Sequence, residues 1–256
     1  MNWLKQTPDK PLFADMLWSR PENRRYAGKL LIIGGHQQAF NEVSAAYLAA
    51  TEAGAGTVRV ILPDSLQKML SKVFPEAEYA ASTPIGSFSR QALGTLLDAA
   101  EWADSVLVAG DLGKNSETAI LLESFIDKYP GQLALAGDSL DYFLDQPSKP
   151  VARPKTLLIA SVGQVQKLAA PTLIQQNADL AKVVEQISGW VSQIDLSLVT
   201  THSSQAIAAY KERVSTTPIE QSTPDSKLAA YAAVWLMQQP QKTFEALTTA
   251  VYCLLK

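Results

Sequence analysis

Cysteine is nearly absent from this chain: Cys253 stands alone among 256 residues. One thiol cannot close an internal disulfide, which argues for a reducing, cytoplasmic setting. Histidine is almost as scarce, with only His36 and His202, so no zinc site can be written at the usual Cys/His spacing, and no metal ligands are assigned. Charged residues make up only 18%, as 22 basic against 25 acidic side chains and a net charge of −3. A nucleic-acid binder would carry a basic stripe instead. No apolar run approaches the roughly 18 residues that a membrane span needs. Pro8, Asp9, Pro11 and Asp15 interrupt the stretch where a signal peptide requires an unbroken apolar core. Familiar chemistries are missing too: there is no Walker A pattern and no Gly-x-Ser-x-Gly elbow. Gly54-Ala55-Gly56 precedes a strand rather than opening a helix, so it is no dinucleotide fingerprint.

What is present is an alternation of short apolar runs and amphipathic stretches. Hydrophobic residues make up 47% of the chain, enough for a sizeable core in one α/β domain. Lys29–Ile33, Thr57–Leu62, Ser105–Ala109, Gln132–Ala136 and Thr156–Ala160 read as strands, most of them buried on both faces. Helices are expected at 42–52, 64–73 with Asp64 as cap, 89–102, 116–129 with Ser116 as cap, 139–144 and 173–193. A strand, a helix and a strand within about 35 residues imply parallel pairing. After residue 194 the pattern changes to three short β-like segments, 195–200, 205–210 and 213–217, which suggest antiparallel strands at one sheet edge. Helices at 225–238 and 242–254 close the chain. The expectation is a doubly wound, mainly parallel sheet with helices on both faces and an antiparallel edge. Residues 1–23 read as an irregular lead-in and 24–256 as a single domain.

In open parallel sheets, ligands bind beyond the carboxyl ends of the strands. Four such ends carry small or polar residues here: Gly34-Gly35-His36, Gly110-Asp111-Leu112-Gly113, Gly137-Asp138 and Ser161-Val162-Gly163. Each also has a plainer reading. The glycine pair makes a tight turn, His36 lies in a solvated loop, and Asp138 caps the following helix. His202 is a surface residue at a strand end.

The combination of loops is more specific than any one of them. Arg25 to Gly35, with Ala53-Gly54-Ala55-Gly56 following at the family's spacing, resembles the start of the ADP/ATP-dependent NAD(P)H-hydrate dehydratases, which are ribokinase-like. Ala109-Gly110-Asp111-Leu112-Gly113 resembles that family's Gly-Pro-Gly-Leu-Gly loop. Leu135-Ala136-Gly137-Asp138-Ser139-Leu140 is similar to its Leu-Asp-Ala-Asp-Ala-Leu strand end. The resemblance runs from about residue 24 onward. It implies phosphorylation of hydrated NADH or NADPH by ATP or ADP with Mg²⁺, followed by loss of phosphate. Such chemistry needs a carboxylate base and an N–H-lined phosphate cradle. The implied substrate contacts are Gly35, His36, Asn41, Glu42, Gly113, Asp138 and Ser161. The implied nucleotide contacts are Thr201, His202 and Asp225.

Several positions depart from the family pattern. Its Gly-Thr-Gly-Asp at the penultimate helix corresponds to Ser222-Thr223-Pro224-Asp225-Ser226. Matching Leu228-Ala229 to the family's Leu-Ala puts Ser226 in the catalytic slot, where it cannot act as a carboxylate base. A slip of one residue returns Asp225 to that slot, and Asp225 can equally be a helix cap. Pro224 removes an N–H donor. The Thr-Pro-His-Pro-Gly-Glu loop has become Ile159–Gln164, and the Lys-Gly nucleotide loop falls near Thr201-His202. Three readings follow: a dehydratase that recruits Asp225 or Asp138 as base, a non-catalytic nucleotide-binding or structural homo-oligomer, and a kinase for another small acceptor.

Overall fold

The computed structural model describes residues 2–170, 178–220 and 223–256. Its strands are β1 (Asn2–Lys5), β2 (Lys29–Gly34), β3 (Thr57–Pro63), β4 (Ala77–Ala80), β5 (Ser105–Ala109), β6 (Gln132–Ala136), β7 (Thr156–Ser161), β8 (Leu196–His202), β9 (Gln205–Tyr210) and β10 (Arg213–Pro218). They form one ten-stranded sheet in the order β1-β10-β9-β8-β7-β6-β5-β2-β3-β4. From β4 across to β8 every pairing is parallel, while β9 runs antiparallel to both β8 and β10. The expected mainly parallel sheet with an antiparallel edge is therefore present.

The helices are α1 (Ala14–Trp18), α2 (Asn41–Glu52), α3 (Gln67–Leu70), α4 (Leu93–Trp102), α5 (Ser116–Lys128), α6 (Ser148–Ala152), α7 (Val162–Leu168), α8 (Leu180–Val191), α9 (Asp225–Gln238) and α10 (Thr243–Leu254). Side chains alternate across a strand, so each central strand serves two cores. Leu30 and Ile32 of β2 join Leu107, Ala134 and Leu157 under α2, α9 and α10. Leu31 and Ile33 join Val106, Leu133 and Leu158 against α4, α5, α7 and α8. Alanine lines α9 where it meets the sheet: Ala229, Ala230, Ala232 and Ala233 are all fully buried. Small side chains let the helix lie close to the strands, which fixes where its first turn sits at their carboxyl ends.

The structure corrects several local expectations. The lead-in is not irregular throughout: β1 pairs in parallel with β10 and forms the outermost strand on that side, and Gln6 is buried with its amide donating to Thr217 Oγ1 and the Thr248 carbonyl. Asp64 caps no helix; its carboxylate accepts from the Ser82 backbone N–H at 3.1 Å, and only a short helical turn follows. Asn115, not Ser116, caps α5, accepting from the Glu117 N–H at 2.7 Å. The segment after β6 is a 3₁₀ turn over Gly137–Phe143. Of the long helix expected at 173–193, Leu180–Val191 is helical, and residues 171–177 lie outside the described ones. No helix among the described residues is long and apolar enough to cross a membrane.

Candidate functional site

The strand order reverses at β2. The chain moves outward from β2 to β3 and β4, then returns to β5 on the opposite side of β2. Helices and loops diverge at such a point and leave a crevice beyond the strand ends. The walls here are the segment after β2 and the loop after β5.

Both walls are tied together by side chains. His36 is 9% exposed and is held by paired backbone bonds with Ala39, at 2.9 and 3.0 Å. Its Nδ1 accepts from the Gln38 N–H at 3.3 Å, which leaves the ring proton of the neutral form on Nε2. Nε2 lies 3.2 Å from the Asp111 carboxylate, although it is not aligned for a hydrogen bond. The other Asp111 oxygen accepts from the Gly113 N–H at 2.7 Å, a turn that Asp favours. Gly113 has φ +92, and a Cβ there would sit 2.1 Å from Ser87 Oγ and 3.2 Å from His36 Cγ. Only glycine fits.

Three more carboxylates face the same mouth. Glu42 opens α2, Asp138 follows β6 and Asp225 begins α9. Desolvation raises Glu42 above the ordinary carboxylate range, with further repulsion from Asp138, Asp225 and Asp111. Asp138 is raised by desolvation, then by Asp141 and Asp111, and Lys114 opposes this. Asp225 is raised by desolvation, then by Asp138. Ser139 fixes the approach of Asp138, its Oγ lying 3.1 Å from the Val108 carbonyl and 2.9 Å from that of Ala136.

A raised carboxyl contributes stability that is complete below its unfolded pKa, near 4, and lost as pH rises through its folded pKa. Asp225→Asn is therefore expected to raise the melting temperature by a few degrees at pH 7. The gain should shrink to nothing near pH 3.5 in melts followed by circular dichroism.

The structure brings Gly35, His36, Glu42, Gly113, Asp138 and Asp225 to one mouth, with Asn41 exposed at the start of α2. Ser226 is placed differently. It is 2% exposed, and its Oγ has no partner among the described residues, so it is packed away from solvent. Asp225 is not the cap of α9: that position is Pro224, which gives no side-chain hydrogen bond. Thr201 and His202 end β8, and Thr201 lies beside Ser161 of β7. His202 Nε2 sits 3.0 Å from the Ala178 carbonyl. Thr201, His202, Glu220 and Thr223 line a small cavity of about 130 Å³.

Ser161 is a helix cap. Its Oγ accepts from the Gln164 N–H at 3.2 Å, and Gln164 Oε1 accepts from the Ser161 N–H at 3.0 Å. That reciprocal box is written in the sequence as Ser-x-x-Gln. Gln164 also donates to the Gly137 carbonyl at 3.0 Å, joining two loops of the mouth. Ser161→Ala is expected to cost about 1 kcal/mol in denaturant unfolding. Asp111 is the other residue that the implied contact set lacked; its role depends on His36, a partner from a different loop far away in the sequence.

No protein-family model matches the chain. A ribokinase-like superfamily protein of Enterococcus faecalis V583 superposes with a TM-score of 0.74 at 21% identity, covering 98% of this chain and 85% of that one. The fold is ribokinase-like. The ADP/ATP-dependent NAD(P)H-hydrate dehydratase of Bacillus subtilis, co-crystallized with ATP and Mg²⁺, shares this ribokinase-like fold with a TM-score of 0.65, 14% identity and coverage of 94% and 86%. At such identities the likeness speaks for the fold. In sequence, the bifunctional NAD(P)H-hydrate repair enzyme Nnr of Methanothermobacter thermautotrophicus is 34% identical over 92 residues, and that of Moorella thermoacetica 27% identical over 116. The matches span 36% and 44% of this ribokinase-like chain but only 18% and 22% of those proteins. Relatives found by sequence and by fold thus carry the names that the loop motifs resemble.

Proposed function

We propose that this chain is a divergent relative of the NAD(P)H-hydrate dehydratases that binds a nucleotide at the switch-point mouth and does not transfer its phosphoryl group. The observation that carries this reading is the start of α9. Pro224 has no N–H to give. Asp225 sets a carboxylate, repelled by Asp138, where a phosphoryl group would have to rest. Ser226 turns its hydroxyl into the interior. Phosphoryl transfer is catalysed by positioned donors and cations that absorb the charge of the transition state. Among the described residues no group of three or more His, Cys, Asp or Glu side chains is arranged to hold a metal ion. Mg²⁺ is usually held by one or two carboxylates together with the phosphates it accompanies, so what speaks against transfer is the start of α9 and not a want of carboxylates.

The mouth still offers what a nucleoside or nicotinamide portion needs. Donors and acceptors converge from His36, Asp111, Glu42 and Asp138 beside glycine turns, and the crevice lies at the place in the sheet where such ligands bind. The single cysteine supports a cytoplasmic setting.

The test uses the whole chain with ADP, ATP and NADPH, each with and without Mg²⁺. At least one nucleotide is expected to raise the melting temperature, with a stabilisation of about 2.7 kcal/mol at a hundred times Kd. Hydrated NADPH with ATP or ADP should show no recovery of NADPH absorbance at high protein concentration. Turnover would restore the dehydratase reading. Absence of any shift would leave a structural role, to be checked as a homo-oligomer by light scattering.

A further inference from the structure

One polar group at the mouth is left without a partner. The His36 ring is nine-tenths buried, and its Nε2 has no hydrogen bond among the described residues. The ring cannot turn to find one. Its Nδ1 is occupied by the Gln38 N–H at 3.3 Å, and the His36 backbone is paired in both directions with Ala39. In the neutral form the Nε2–H is therefore a fixed, buried donor without an acceptor, which is costly to keep.

What stands in front of it is Asp111. One carboxylate oxygen lies 3.2 Å from Nε2 without lining up on it, because the other is held by the Gly113 N–H at 2.7 Å. The Asp111 side chain is 37% exposed, so it borders solvent on its far side. The backbone beneath it is anchored: Leu112 is fully buried, and Gly110 and Gly113 take φ of +79 and +92, a region that favours glycine. The part free to move is the carboxylate itself. Its rotation costs one hydrogen bond to Gly113 and uncovers the imidazole N–H.

The surroundings decide which acceptor can replace it. The Glu42 carboxylate lies against the same loop, since a Cβ on Gly110 would sit 3.4 Å from Glu42 Oε2. Asp138 and Asp225 act on Glu42 in turn. A phosphate or carboxylate entering here meets like charge, whereas an uncharged carbonyl oxygen does not.

We infer that Asp111 is a shutter over His36: its carboxylate stands where a ligand oxygen belongs, and it swings aside when an uncharged acceptor of the carboxamide class takes the Nε2–H, a role that rests on the reading of the mouth as a nucleotide site. His36 then touches the ligand, and Asp111 acts through His36. A shutter that rests closed lowers the apparent affinity by the fraction of molecules in which it is open.

The experiment has two readouts on the whole chain. Without ligand, nuclear magnetic resonance follows exchange of the His36 Nε2–H with water; His202 is the only other histidine, and H36F identifies the signal by its loss. D111N keeps an oxygen for the Gly113 N–H and turns an amide N–H towards the imidazole N–H, donor against donor, so the shutter should rest open and exchange should quicken about tenfold. With ligand, calorimetry compares NAD⁺ with nicotinic acid adenine dinucleotide, which carries a carboxylate in place of the carboxamide. D111N is expected to bind NAD⁺ about threefold tighter or better. H36F should bind it about tenfold more weakly, while H36Q, whose amide N–H reaches a similar place, should stay near the parent. The acid should bind the parent about tenfold more weakly than NAD⁺. Circular dichroism checks that each variant is folded. Unchanged exchange and NAD⁺ affinity in D111N, or full affinity in H36F, would overturn the shutter and leave the nucleotide reading standing. Equal binding of the acid would overturn the carboxamide assignment. Faster exchange in D111N with neither NAD⁺ nor ADP bound by any form would instead overturn the nucleotide reading and keep Asp111 as the cover of His36.

Discussion

Gly34→Ala is expected to lower the melting temperature by roughly 8–16 °C or to leave no folded protein. Gly34 ends β2 opposite Ala109 of β5. A Cβ at this position would lie 2.0 Å from the Ala109 carbonyl oxygen and 2.9 Å from Val43 Cγ2. The first obstacle is backbone and cannot rotate away, so β2 and β5 must separate at the point where the crevice opens. Losses above about 4 kcal/mol are exceptional, and steric conflict of this kind is among their few causes. In a chain near this size each kcal/mol moves the midpoint by about 2–4 °C. Gly189→Ala makes the same chemical change with the opposite sign. Gly189 lies within α8 with nothing within 4 Å of the added carbon, so alanine should stabilise by up to about 1 kcal/mol. Calorimetric scans of the two variants separate packing at β2–β5 from any general effect of losing a glycine.

Trp235→Ala should cost about 3–5 kcal/mol. Trp235 is fully buried on α9 and belongs to the core shared with α2, α10 and the strands. Its loss leaves a cavity that the alanine-rich surroundings cannot fill. The Arg20 guanidinium, 5.2 Å from the ring centre, would also lose its aromatic partner. Trp235→Phe is the informative companion. Its ring fills most of the space, and it removes an indole N–H that has no partner among the described residues, so it should cost far less than alanine. Both variants bear on function because α9 positions Asp225: urea melts report the stability, and nucleotide titration of the folded variants reports the site. Affinity should fall for alanine and hold for phenylalanine.

Much of the sheet was legible in the sequence because its central strands are buried on both faces. Runs such as Leu30–Ile33 and Ser105–Ala109 need no partner to be recognised. β1 and β4 carry no such run. Asn2–Lys5 has two exposed ends and gains its order from β10, which lies towards the other end of the chain. Ala77–Ala80 pairs along one side only, with β3. Local periodicity cannot show pairings of that kind.

The candidate site was legible by loop, and less so by role. Strand ends marked His36, Gly113, Asp138 and Ser161 correctly as residues at the carboxyl edge. The contact between His36 and Asp111 needed the strand order, since β2 and β5 are neighbours only after the chain has left and returned. Ser161 and Gln164 did carry a local signal, the capping box, which was overshadowed by the resemblance of their loop. At α9 the match of Leu228-Ala229 put Ser226 in the catalytic slot, whereas Ser226 is buried and Asp225 is one of several carboxylates at the mouth.

A crystal soaked with Mg²⁺ and a non-hydrolysable ATP analogue tests the central claim most directly. The account predicts that no phosphate oxygen comes within hydrogen-bond distance of the Asp225 or Ser226 backbone N–H. A terminal phosphate seated on those two amides, with Asp225 or Asp138 touching the acceptor hydroxyl of a bound nicotinamide nucleotide, would contradict it.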